Sequence, residues 1–244
     1  MIEPTTLRQR FLADPMTLRN ERRDFPEWRR GRQRYVLWAL DVDTSSVRSR
    51  VVAARQALDG LLLDGYRRQP HVTLALCGFP AATCATAHDE FDHRLIAAQV
   101  TALRTQGLAA FEVDIGGLES FSSAPFLTVS GGRDAFTLIR RCLHNEGPHP
   151  SGPYVPHVTV GLYSDAWPTK KVADRFAQIP PLPSLHLRVT RLSLLSYAAA
   201  QVGGALFTLA EYELNTGRMH WHAPLTAGSA RSAMQSARVQ PTSQ

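Results

Sequence analysis

The sequence is poor in cysteine. Its three thiols, Cys77, Cys84 and Cys142, cannot all pair within one chain. They read as reduced cytosolic thiols, which excludes a small disulfide-stapled scaffold. Long hydrophobic runs are also missing: no apolar stretch approaches a membrane span. Residues 1–20 lack the apolar centre of a secretory signal. The acids Glu3, Asp14, Glu21, Asp24 and Glu27 argue against an organelle transit peptide, since such peptides are rich in arginine but poor in acids. The expectation is a cytoplasmic, membrane-free monomer. Metal-ligand clusters are scarce as well. His220 and His222 flank Trp221, but a lone His-x-His with no acidic or cysteine partner is a poor metal site. No metal and no cofactor is expected. The pairs Gly131-Gly132 and Gly203-Gly204 lack the spacing of a phosphate loop and read as turns.

Charge is missing where a duplex-binding protein would need it. The net charge is +6. Residues 1–34 hold nine arginines against five acids, and residues 217–244 hold Arg218, Arg231 and Arg238 with no acid. The centre, 35–216, has fifteen basic and sixteen acidic residues. A neutral centre does not make a long electropositive groove; it suits a small ligand or the end of a strand. The basic ends read as solvated tails, with weak RNA phosphate contact as their functional alternative.

What is present is a repeated tetrapeptide. Pro-His-Val-Thr occurs at Pro70–Thr73 and again at Pro156–Thr159. Each copy reads as the start of a strand, where proline is tolerated. Side chains alternate along a strand. His71 and Thr73 therefore share one face, and so do His157 and Thr159. Val72, Leu74 and Leu76 are expected on the opposite, buried face, as are Val158, Val160 and Leu162. Cys77 falls on the His71 side by this count. Two imidazoles and two hydroxyls, brought together, suffice for acid–base chemistry on a phosphate ester without a metal. Tyr163 shares the His157 face and is the best candidate to stack a base. Arg68 is the candidate for a further phosphate contact. Tyr66, Arg67 and Tyr154 lie near the motifs, while Phe121 and Phe126 read as core or rim.

Periodicity and turn signals predict helices near 6–13, 45–59, 87–105, 133–144 and 168–177, and strands near 34–42, 70–78, 111–115, 126–129 and 157–163. Two long β-like runs follow at 185–198 and 205–214. The series strand, helix, motif strand, helix occurs twice. With the motifs 86 residues apart, this is too long for a solenoid period, and it predicts two pseudo-symmetric lobes facing a groove. The expected division is a basic extension at 1–33, the bilobal domain at 34–214 and a flexible tail at 215–244.

The pair His71-Val72-Thr73-Leu74 and His157-Val158-Thr159-Val160 resembles the signature of the two-histidine phosphoesterase superfamily. Within it the chain looks most like the 2′-5′ RNA ligase and RNA 2′,3′-cyclic phosphodiesterase group, over about 34–214. The resemblance implies an α+β, bilobal duplicated fold, with two antiparallel-rich sheets flanking a central cleft and helices outside. It implies His71 and His157 as acid and base, Thr73 and Thr159 on the phosphate, and a nucleotide or RNA end as substrate. The expected activity is a metal-independent cyclic phosphodiesterase, with ligation as a reverse activity. The alternatives are a non-catalytic nucleotide or RNA-end binding module, or a phosphoesterase or 2′-5′ ligase for another substrate.

Overall fold

The computed structural model describes residues 4–81, 87–143 and 154–225. Strand β1 (Arg34–Asp41) leads into helix α3 (Ser45–Ala57), which follows α1 (Pro4–Ala13) and the short α2 (Pro26–Arg29). Thr44 begins α3 as its sequence suggests, its Oγ1 accepting from Val47 N–H at 3.3 Å. The first motif strand is β2 (His71–Pro80), followed by the short β3 (Glu90–Phe91) and α4 (His93–Gln106). Asp92 caps α4 by accepting from Arg94 N–H, and Gly107 closes it in the left-handed region at φ 59°. The second half brings β4 (Phe111–Ser120), β5 (Pro125–Gly131), α5 (Arg133–Leu143), the second motif strand β6 (His157–Thr159) and α6 (Thr169–Ala177). It ends with β7 (Leu185–Val189), β8 (Arg191–Ala198), β9 (Leu206–Glu213) and β10 (Met219–Trp221).

The strands order as β10-β9-β8-β1-β2-β6-β5-β4-β7, with β3 beside β2. Neighbours along this path are antiparallel. The two expected sheets are the two halves of this ladder, joined where β2 meets β6 at the pair Val72–Val158. The β-like run 185–198 divides at Thr190. Its first part pairs with β4 at one edge and its second with β1 in the other half.

One face of the sheet carries the main core. Trp38, Leu40, Val72, Leu74, Val158 and Val160 meet Val47 and Val51 of α3, Ile96, Val100 and Leu103 of α4, and Phe136 and Ile139 of α5. Each fully buried aliphatic or aromatic side chain contributes about 1.5–3 kcal/mol. Gln99 is buried among them with both ends satisfied: its oxygen accepts from Trp38 Nε1 at 2.8 Å and its amide donates to Leu143 O at 2.6 Å. No helix of the described residues is long and apolar enough to cross a membrane.

Three expectations fail locally. The register of β2 against β1 slips twice, between Trp38 and Ala39 and between Val36 and Leu37. Each slip is a β-bulge that shifts the alternation by one residue. Ala75 and Cys77 therefore join Leu74 in the core, whereas Leu76 is 58% exposed. Cys77 is thus removed from the His71 face. Second, β6 stops at Thr159 instead of running to 163. Third, the fold extends past both expected boundaries. Phe11 of α1 is 2% exposed, in a cluster with Leu58, Leu61, Tyr163, Val172 and Phe176. Arg8 binds Glu119 at 2.9 and 3.0 Å. At the other end β10 pairs with β9, and Met219 and Leu225 pack on the main core. Cys84 and the distal tail lie outside the described residues.

Candidate active site

The two motif strands lie side by side at the centre of the sheet. Because Val72 opposes Val158 in an antiparallel pair, His71 falls opposite Thr159 and Thr73 opposite His157. Directly opposed side chains share a face. Both valines are fully buried in the main core, so all four polar residues project from the other face. The flanking strands agree: Ala39 opposes Thr73 and Phe126 opposes Thr159, and neither Ala39 nor Phe126 belongs to the main core. Opposed Cβ atoms stand about 4.5–5.5 Å apart, so the four side chains form one compact patch.

The imidazoles are held identically. His71 Nδ1 lies 2.8 Å from Gln69 O, and His157 Nδ1 lies 2.8 Å from Val155 O. A carbonyl only accepts, so each Nδ1 carries its hydrogen, and each Nε2 holds the lone pair when the ring is neutral. In both copies a proline separates the carbonyl residue from the histidine. The residue before proline is confined to extended backbone, which aims that carbonyl the same way twice. Gln69 is itself anchored: its amide donates to Leu206 O at 3.2 Å, and Leu206 N–H donates to its Oε1 at 2.8 Å. His71 is 7% exposed. Burial pushes its pKa down to about 4, against the hydrogen bond to Gln69, with Arg68 and His157 lowering it further. Burial lowers His157 too. The ring of His157 stands 5.1 Å from Phe121 and 5.2 Å from Phe126.

Over His157 and Thr159 opens a cavity of about 470 Å³, also lined by Tyr66, Arg68, Phe121 and Tyr197. Tyr66 stands in this lining with Thr159. Gly203, at φ 65°, lets this happen: a Cβ there would come within 2.7 Å of the Tyr66 ring. The Arg68 guanidinium lies over the Tyr197 ring at 4.2 Å. Its Nε is buried and has no hydrogen-bond partner among the described residues. A larger apolar groove of about 810 Å³ runs along α4 and β10 and touches none of the motif residues.

A cleft floored by twinned His-x-Thr pairs fits a family match made on sequence alone, which covers residues 43–201 with the model of the 2′-5′ RNA ligase superfamily. The chain belongs to that superfamily. It is therefore an enzyme of the phosphoesterase and ligase kind. No curated protein sequence is significantly similar to it. Among solved structures, TT0787 of Thermus thermophilus is 17% identical with a TM-score of 0.52, covering 74% of this chain and 98% of its own. A structure described as a phosphoesterase is 18% identical with a TM-score of 0.50, covering 75% and 99%. At these identities the likeness concerns the fold. Escherichia coli LigT in complex with 3′-AMP is 14% identical with a TM-score of 0.49, covering 75% and 99%.

Within this superfamily member, His71, Thr73, His157, Thr159 and Arg68 come together. Tyr163 does not join them. It is fully buried beside Phe11 and Phe176, and its hydroxyl meets Ser120 Oγ at 2.6 Å. The early end of β6 turns it away from the His157 face. Tyr154 donates to Thr73 O at 2.7 Å and packs on the main core. His222 Nε2 lies 3.1 Å from Glu211 on the β10 edge, and His220 pairs with Glu213. Among the described residues no three His, Cys, Asp or Glu side chains converge on a point. The aromatics of the cleft are instead Tyr66, Phe121 and Tyr197, joined by Phe25 and Trp28. Of these, Tyr66 and Phe121 lie near or between the motifs in sequence; Phe25, Trp28 and Tyr197 carry no local signal.

Proposed function

We propose that this protein is a metal-independent cyclic phosphodiesterase acting on 2′,3′-cyclic phosphate ends of nucleotides or RNA. The observation that supports it best is the matched hydrogen bonding of His71 and His157, which turns two Nε2 atoms toward one face. One neutral imidazole takes a proton from water as the water oxygen attacks phosphorus. The bond from phosphorus to one ribose oxygen breaks, and the other imidazole, protonated, gives that oxygen its proton. Water and a cyclic diester become a monoester with a free hydroxyl, and the two histidines exchange protonation states. Thr73, Thr159 and Arg68 hold the non-bridging oxygens, where charge develops. Burial favours the neutral form of both imidazoles, and an anionic substrate provides the field that keeps one of them charged.

The test is turnover of a panel of 2′,3′-cyclic nucleotides and cyclic-phosphate RNA, with excess chelator present. His71→Ala and His157→Ala should each lower kcat by roughly 10²–10⁴, and the double variant should lose little more because the pair acts as a unit. Near wild-type turnover by either single variant would refute the two-histidine mechanism. Binding of these ligands without turnover would make the protein a binding module.

A further inference from the structure

The N-terminal segment lies outside the residues matched by the superfamily model, yet it lines the cleft. It crosses from one half of the molecule to the other. On the second half, Leu18 N–H donates to Ser122 O at 2.7 Å and Asn20 N–H to Tyr163 O at 3.0 Å. The Asn20 amide also reaches Ser123 O at 3.1 Å. On the first half, the ring of Trp28 stands 5.4 Å from Tyr35 and 5.0 Å from Phe79. Arg32 forks onto Asp89 at 2.7 and 2.8 Å and lies over Phe79 at 3.8 Å. Between these anchors Phe25 and Trp28 line the same cavity as His157, Thr159 and Arg68. Trp28 is 38% exposed. Phe25 carries the Arg23 guanidinium over its ring at 3.8 Å.

The cavity is therefore graded in chemistry. Its floor offers the His157 imidazole and the Thr159 hydroxyl beside the Arg68 guanidinium; its N-terminal wall offers the flat rings of Phe25 and Trp28, held from both sides. A phosphate fits the first and a planar π-system the second. About 470 Å³ is within the usual range of small-ligand sites, ~300–1,000 Å³. We propose that Phe25 and Trp28 form a nucleobase-binding wall, which stacks the base attached to the reacting phosphate and makes this enzyme prefer base-bearing cyclic phosphates. The proposal rests on the reading of the floor as the phosphate site.

The experiment compares kcat/KM for adenosine 2′,3′-cyclic phosphate with that for glycerol 1,2-cyclic phosphate, which has no base. Removing a stacking ring should lower the ratio of the two by roughly 5- to 150-fold, the usual worth of one base–aromatic stack. Trp28→Ala also removes packing on Tyr35 and Phe79, so Phe25→Leu, which keeps an apolar side chain, is the second variant. A ratio unchanged in both variants would overturn the wall. If the wild-type protein turned over neither compound, the phosphodiesterase reading would fail, and calorimetry with adenosine 2′-monophosphate would decide the wall. Weaker binding by Phe25→Leu than by wild type would support it, and equal binding would overturn it.

Discussion

Acidification should unfold this protein partly through a single ring. His71 is buried, and its pKa is pushed from the ordinary 6.5 to about 4. Between those two values the unfolded chain binds a proton that the folded chain refuses. Stability is therefore complete above pH 6.5 and falls as the pH drops toward 4. At about 1.4 kcal/mol per pH unit, the loss from this group approaches ~3 kcal/mol, a large share of the 5–15 kcal/mol typical of a domain. His157 adds a loss of the same sign. The assay is urea unfolding of the wild type and His71→Asn at intervals from pH 7.5 to pH 4. Asparagine keeps a donor near Gln69 O but does not titrate. The wild-type curve should fall more steeply, by ~3 kcal/mol over the range, while the losses from carboxylates cancel in the comparison. Inorganic phosphate should flatten the difference, because an anion in the cleft favours the charged ring. Parallel curves for the two proteins would refute both the burial and the pKa argument.

Phe11→Ala should cost about 3–5 kcal/mol in chemical denaturation, because Phe11 fills the cluster of Leu58, Tyr163 and Phe176; a change below ~0.5 kcal/mol would return α1 to the status of a loose extension. Gln69→Ala should lower kcat by roughly tenfold, the scale of losing a group that orients a reactive ligand, with KM little changed, since the Gln69 side chain anchors the carbonyl that fixes His71. An unchanged kcat and pH profile would show that the backbone alone holds that carbonyl. A chain ending at Leu225 should keep the melting temperature of the full protein, whereas one ending at Thr216 loses β10 and its pairing with β9 and should melt several degrees lower; equal melting of the two would make β10 dispensable.

The heart of the site is legible in the sequence because it is local. Two identical tetrapeptides with period-two alternation put His71, Thr73, His157 and Thr159 on one face, and the Val72–Val158 pairing carries that alternation into the fold. Alternation fails where β2 bulges: nothing in Leu74-Ala75-Leu76 announces an extra residue, and the slip that buries Ala75 and exposes Leu76 depends on how β1 lies alongside. Tyr163 escapes local reading for a related reason. Facing it into the cleft requires a strand running four residues past Thr159, but β5 and β2 hold β6 only as far as Thr159. The cleft's aromatic walls are beyond local reading, because Phe25 and Tyr197 are far apart in sequence and meet only through the crossing of the N-terminal segment. Charge misleads at that same segment. Its arginines look like a solvated tail, but Arg8 and Arg32 spend their charge on Glu119 and Asp89.

The carbonyl–proline–histidine arrangement has a consequence for how such a site can be assembled. The hydrogen that fixes each ring is held by a main-chain atom two residues upstream, so no distant side chain is needed to set the tautomer. Each motif is a cassette that fixes the tautomer of its own ring. Laid antiparallel against a copy of itself, it sets two rings of the same tautomer on one face. Side chains around the cleft can therefore change while the tautomer of both rings, set by backbone carbonyls, stays the same.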